Sequence, residues 1–342
     1  MNTTVFCFGE LLLRMSPSLG GEWIAQNSMP VYIGGAELNV ATALGCWNVP
    51  VRYGTALPDH YLTDEILTYV RSREIDTSVV HRSGERIGTY YLPQGADLKN
   101  AGVIYDRAYS SYWQLKPGMI NWKEALAGCG WFHFSAISPA LNEDAVEVLE
   151  EALEVATAMG LKISIDLNYR AKLWKYGKTP QEIMPRLVKY CDLVMGNIWA
   201  AGNLLGIPID AGVHLQDDKN VFLAHATKTA AAIREQYPRC EWVANTFRFD
   251  EGNGIRYYAS LDSAAGQSVS PLFETQLVVD KIGSGDCFMG GLIYGFWNEL
   301  EPAQTIGYAA AAAFGKLQEK SDATRQTEND VKRLLNAQAV NP

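Results

Sequence analysis

Apolar positions along this chain change their spacing twice, and the changes divide it into segments. Val5–Leu13 is a near-continuous apolar run, as in a strand buried on both faces. Residues 20–34 and 85–110 are punctuated by glycine and rich in aromatic and β-branched residues, with alternation in RIGTYYL and AGVIYDRAY. These two segments predict one small antiparallel sheet built from separate parts of the chain. Helical spacing predicts helices over Ala36–Trp47 and Thr63–Ile75.

From about residue 116 strands and helices alternate. The apolar runs predict strands at 131–137, 161–168, 192–197 and 241–247. Helices are predicted at Asn142–Met159, Pro180–Tyr190, Trp199–Leu205 and Ala224–Tyr237, with a surface loop over 207–221. Such alternation implies a parallel sheet covered by helices, with ligands at the carboxyl ends of its strands. Those ends carry Asn168 and Arg170, Asn197, and Thr246 and Arg248. Strand-to-helix loops are polar in any case, so position alone leaves a purely structural reading of each residue open.

Composition narrows the classes. The 342 residues are 48% hydrophobic and 20% charged, enough to bury a core without a disulfide or metal staple. A net charge of −9, from 29 basic and 38 acidic residues, argues against a nucleic-acid surface but allows a small anionic ligand. Six scattered cysteines without CxxC spacing read as reduced, buried thiols in a cytoplasmic protein. The opening MNTTVFCFGELLLRMSP, broken by Glu10 and Arg14, does not read as a signal peptide, and no apolar run is long enough to span a membrane. The five histidines lack ligand spacing, so no histidine-held metal is expected.

The segment with the clearest chemistry is VVDKIGSGDCFMGGLIYGFW, residues 278–297. Gly283, Ser284 and Gly285 let backbone N–H groups turn toward one point, where the helix that follows adds its positive end. This makes an anion hole suited to a phosphoryl group in transfer. Asp286 puts a carboxylate at the same spot, able to take a proton from an attacking hydroxyl. Gly290 and Gly291 let the helix pack closely on its neighbours. The bland alternative is an ordinary turn and an acid that favours a helix start. A dinucleotide fingerprint is excluded by Phe288, where a third glycine is needed.

DKIGSGD, Asp280–Asp286, resembles the C-terminal signature of the ribokinase/PfkB carbohydrate kinases, Asp-x-x-Gly-small-Gly-Asp. GGAELNVATALGCWNV, residues 34–49, resembles their N-terminal signature, and residues 56–80 are similar to the stretch that follows. The resemblance covers almost the whole chain. It implies a ribokinase-like, three-layer α/β/α, Rossmann-like domain (1–19, 35–84 and 111–342) with a small β-sheet lid (20–34 and 85–110). It also implies ATP and Mg²⁺, and a sugar held by Gly34, Gly35 and Asn39. Asn197, Thr246, Arg248, Asp280 and the glycines 283 and 285 would hold the nucleotide, and Asp286 would be the base. Asp286 needs no raised pKa for that role, since an ionised carboxylate suffices once bond breaking to the leaving phosphate is advanced.

FGELLLRMSP, Tyr90, Tyr105-Asp106-Arg107 and Asp166-x-Asn168-x-Arg170 resemble 2-keto-3-deoxygluconate kinases within that family. The resemblance implies that Tyr90, Tyr105, Arg107, Asn168 and Arg170 hold a sugar acid, with two guanidinium groups on its carboxylate. It also implies a dimer through the lid, with Tyr112 and Trp113 at the contact. Three positions depart from the family pattern. An N-x-x-E motif that helps organise Mg²⁺ ends here in Ala200, Thr246 and Arg248 replace a glycine-containing strand end, and Lys281 replaces Thr. A kinase for a neutral ketose such as fructose, or a catalytically weak sugar-binding protein, also fits these residues.

Overall fold

Strand β1 (Thr4–Phe8) faces two cores at once, because successive side chains leave opposite faces of a strand. Val5 and Cys7 join one apolar cluster, Phe6 and Phe8 the other. The structure, a computed structural model, describes residues 4–18, 24–93, 102–215 and 218–339. After β1 come β2 (Leu12–Met15), β3 (Val31–Gly34), helix α1 (Ala36–Cys46), β4 (Val51–Gly54), β5 (Ala56–Leu57), α2 (Tyr61–Arg71), β6 (Ile75–Asp76), β7 (His81–Arg82), β8 (Gly88–Tyr91) and β9 (Ile104–Asp106). The alternating part holds α3 (Trp122–Ala125), β10 (Cys129–Ser135), α4 (Glu143–Ala158), β11 (Lys162–Asp166), α5 (Pro180–Val188), β12 (Leu193–Gly196), α6 (Ile198–Leu205), α7 (Lys219–Gln236) and β13 (Trp242–Glu251). β14 (Gly254–Ser263), β15 (Gly266–Val269), β16 (Phe273–Thr275), α8 (Ser284–Trp297), α9 (Pro302–Lys316) and α10 (Glu328–Ala339) follow.

Ten strands form the large sheet, in the order β15-β14-β13-β12-β11-β10-β1-β4-β6, with β16 beside β14. From β13 to β6 neighbouring strands are parallel; the β14, β15 and β16 edge is antiparallel. Residues from α1, α2, α8 and α9 share the cluster of Val5 and Cys7, while residues from α3, α4, α5 and α7 share that of Phe6 and Phe8. Helices therefore cover both faces, the three-layer arrangement expected. A separate sheet runs β3-β2-β8-β9. This is the small sheet expected over the ends of the large one.

Local chemistry fixes the helix starts. Asn142 and Asn197 cap α4 and α6, each side-chain oxygen accepting from the N–H three residues on at 2.8 Å. Thr179 and Glu182 form a capping box at α5. In α8, Gly290 and Gly291 face α1 and α9, where a side chain would press on Ala43 and Ala309.

Several expectations need correction. The apolar run Val5–Leu13 is two strands: β1 ends at Phe8, and Leu12 and Leu13 belong to β2 of the small sheet. That sheet is mixed rather than antiparallel, since β2 and β8 run parallel. Helix α2 ends at Arg71, so that Ile75 begins an edge strand, with Glu74 at φ +60° making the turn. Helix α7 begins at Lys219, inside the predicted loop, because Asp218 caps it. Tyr112 is buried against Phe8 and donates to Ser138, so it is not available to a second subunit; Trp113 is half-buried and lies on Tyr109. Of the small-sheet segments, residues 20–23 and 94–101 lie outside the described residues. Among the described residues no helix is long and apolar enough to cross a membrane, and no cysteine is in a disulfide.

Candidate active site

A cleft of about 410 Å³ lies between the small sheet and the carboxyl ends of the parallel strands. β2, β8 and β9 give Leu12, Tyr90 and Tyr105 to its wall. The chain at and beyond β11, β12 and β13 gives Asp166, Asn168, Arg170, Asn197, Thr246 and Arg248, as the strand-end rule requires. Gly35, Asn39, Arg107, Lys281 and Gly283–Asp286 complete the set that sequence reasoning assembled. Two proposed residues lie behind the wall. Gly34 backs onto the Asp322 carboxylate, and Asp280 pairs with Arg14.

Helix α8 starts beneath this cleft. Gly283 precedes it at φ +75°, a left-handed conformation that glycine adopts without penalty. The first-turn N–H groups of a helix have no partner within it, so Ser284, Gly285 and Asp286 present theirs to the cleft end. The Ser284 hydroxyl donates to the Ala313 carbonyl at 3.0 Å and pins the turn to α9. A methyl group at 283 would also overlap the carbonyl oxygen of Asp322. Gly283→Ala is therefore expected to cost about 2–4 kcal/mol of stability, from the positive φ and the overlap together. Urea unfolding measures it; a loss under 1 kcal/mol would mean that the turn moves freely.

Asp286 is buried and accepts a 2.7 Å hydrogen bond from the Asn39 side-chain amide. The other amide atom of Asn39, Oδ1, is buried without a partner in the protein and can accept a hydroxyl. Burial pushes Asp286 up to about 6, opposed by the Asn39 hydrogen bond and Arg170. This shift was not required by the sequence reading. Burial also pushes Glu37 up to about 7, with hydrogen bonds from Ser135 opposing it. Asp166 is raised by burial and then by Asp286.

The two arginines proposed as a carboxylate clamp are in different situations. Arg107 is 5% exposed and spends Nε and Nη2 on Glu10, at 2.6 and 2.5 Å; Ser110 also donates to Glu10. Arg170 donates Nη1 to the neighbouring Tyr169 carbonyl at 3.1 Å, and its charge lowers the pKa of both Asp166 and Asp286. The Tyr90 hydroxyl donates to Asp322 at 2.8 Å. Thr246 donates to the Gly196 carbonyl, Asn197 Oδ1 is occupied in capping α6, and Lys281 pairs with Asp250.

Sequence reasoning missed Glu10, Glu37, Asp166 and Asp322 as cleft residues. Glu10, Glu37 and Asp166 stand within the quoted motifs and were within reach of it. Asp322 has no local signal. Among the described residues no cluster of three or more His, Cys, Asp or Glu suits a metal ion. A divalent cation here would arrive with its own phosphate ligands.

The family profile described as pfkB family carbohydrate kinase matches residues 2–329. A 2-dehydro-3-deoxygalactonokinase of Haloferax volcanii is 30% identical, over 98% of this chain and 97% of its own. A probable fructokinase-2 of Arabidopsis thaliana is 24% identical, over 88% and 83%. The crystal structure of a 2-dehydro-3-deoxygluconokinase from Thermotoga maritima superposes with a TM-score of 0.88, at 31% identity and 98% coverage of both chains.

Proposed function

We propose, from the premise that this chain belongs to the pfkB family of carbohydrate kinases, that it transfers a phosphoryl group from ATP to the terminal hydroxyl of a 2-keto-3-deoxy sugar acid. The acceptor is 2-keto-3-deoxygluconate or its galactonate epimer. The observation that carries this reading is the buried Asp286 carboxylate, oriented by Asn39 beside the open amides of α8.

Asp286 takes the proton of the acceptor hydroxyl while the new O–P bond forms and the bond to the leaving ADP breaks in line. The transition state is loose, so the work lies in position and charge: the amides at Ser284–Asp286 face the equatorial oxygens, and Asn39 fixes the base. Arg248 and Lys281, on the same wall, suit the remaining phosphates. A Mg²⁺ ion held mainly by the triphosphate itself would, when bound, supply neutralisation of phosphate charge.

The acid acceptor is supported by Arg170 in the cleft and by the two relatives named for such acids. An ATP-coupled assay on 2-keto-3-deoxygluconate, 2-keto-3-deoxygalactonate and fructose tests it. A kcat/KM about 10- to 150-fold higher for one of the acids is expected, the equivalent of a charge-assisted contact of roughly 1.5–3 kcal/mol. Preference for fructose would assign the chain to the neutral-ketose kinases, as in the fructokinase relative.

A further inference from the structure

One buried arginine joins the small sheet to the turn that begins α8. Arg14 lies in β2 and its side chain is 2% exposed. Its guanidinium leaves the small sheet toward two acids, with Nε 2.7 Å from Asp322 Oδ1 and Nη2 3.3 Å from Asp280 Oδ2. The Nε pair is out of line for a hydrogen bond, so charge rather than N–H direction holds it. The guanidinium also lies 4.3 Å over the ring of Tyr32, in β3 of the same sheet.

Each acid is tied to a different part of the transfer site. Asp280 Oδ1 accepts the Ile282 N–H at 3.1 Å, which shapes the chain as it enters Gly283. Asp322 accepts the Tyr90 hydroxyl at 2.8 Å, and its backbone carbonyl fills the space beside Gly283. Its carboxylate fills that beside Gly34, at the end of β3. A second buried cation, Lys316, donates to the Glu319 carbonyl at 3.3 Å nearby, so the acids are not served by Arg14 alone.

We propose that Arg14 is a positioning residue that couples the seating of the small sheet over the acceptor to the arrangement of the Gly283–Asp286 amides. When the sheet shifts, its arginine leaves the buried Asp322 and the half-buried Asp280 short of a counter-ion, which is more costly than losing an exposed pair. The turn is thus held for transfer when the wall carrying Tyr90 is in place, and each substrate favours the arrangement that the other needs. This inference rests on the carbohydrate-kinase reading of the cleft, but not on the acceptor being an acid.

The test is the dissociation constant of the acceptor, by calorimetry, with and without a saturating non-hydrolysable ATP analogue. The acceptor is whichever of the two keto-deoxy acids and fructose the wild type phosphorylates. In wild type the analogue is expected to tighten acceptor binding by about 5-fold or more. The factor is expected to fall to about 1 in Arg14→Met and Asp322→Asn, and to an intermediate value in Arg14→Lys, which keeps charge but not the fork. A role in stability alone would lower Tm and leave the factor intact. Should Arg14→Met not fold, the other two variants carry the comparison. A wild-type factor of 1, or an unchanged factor in folded variants, overturns the role of Arg14. A wild type that phosphorylates none of the three acceptors overturns the reading of the cleft, and this role with it.

Discussion

Replacing Asp286 with Asn is expected to leave a folded, substrate-binding protein whose turnover is lower by about 10²–10⁴-fold. The Asn39 amide can still donate to an oxygen at this position, so the local geometry survives while the base is lost. The pH behaviour follows from the raised carboxyl. Because the base must be ionised and burial holds it near 6, kcat/KM of the wild type is expected to fall as pH drops through about 6. The stability effect has the opposite sign. A carboxyl raised on folding gives stability that is full below its unfolded value of 3.8 and lost as pH rises through about 6. At pH 8 the ionised Asp286 therefore weakens the fold, and the Asn variant is expected to be more stable by up to about 3 kcal/mol. Turnover near the wild-type level in the Asn variant would remove Asp286 from the mechanism. A less stable variant would mean that the buried charge is better solvated than its surroundings imply.

The second large effect separates the two arginines. Arg170→Leu is expected to lower kcat/KM for the sugar acid by about 30- to 1000-fold, the equivalent of roughly 2–4 kcal/mol for a desolvated charge left poorly paired. Fructose, which carries no carboxylate, should be used about as well as before. Arg107→Leu should behave otherwise, because its partner Glu10 is 3% exposed and would be stranded. Removing one partner of a buried pair costs about 3–5 kcal/mol, so this variant is expected to unfold at lower urea and lose both acceptors together. Equal proportional losses for acid and ketose in Arg170→Leu would show that this arginine does not read the carboxylate.

The parts of this site that were legible in sequence are those whose function depends on local backbone. Gly283–Asp286 must form a turn and a helix start in consecutive residues, so their chemistry is written contiguously. The start of α4 was legible for the same reason, since its cap Asn142 precedes it directly, whereas Asn197 was read as a nucleotide ligand and caps α6 instead. Asp322 is not. It is one acid in a polar stretch, and only packing brings it to Tyr90, Arg14 and Gly283. The split between β1 and β2 falls at Gly9-Glu10, a short break whose flanking apolar runs read together as one strand, although the two belong to different sheets. The pairing of Arg107 with Glu10 spans 97 residues, so the resemblance carried by Tyr105-Asp106-Arg107 could imply a clamp but not its counter-ion. The antiparallel edge beyond β13 went unread because β14 is buried on both faces and lacks the alternation of a half-exposed strand.

The hydrogen bond from Asn39 to Asp286 joins residues 247 apart in the chain. During synthesis the residues around Asn39 leave the ribosome long before their partner exists, at roughly 5–20 residues per second for the interval between. By then both sheet neighbours of β1, β4 and β10, have already been made. A nascent chain can therefore build much of its scaffold early but cannot assemble the phosphoryl-transfer centre until α8 has been made. A protein interrupted before α8 would have most of its mass without the transfer turn, and the apolar face that α8 covers would be left open for chaperones.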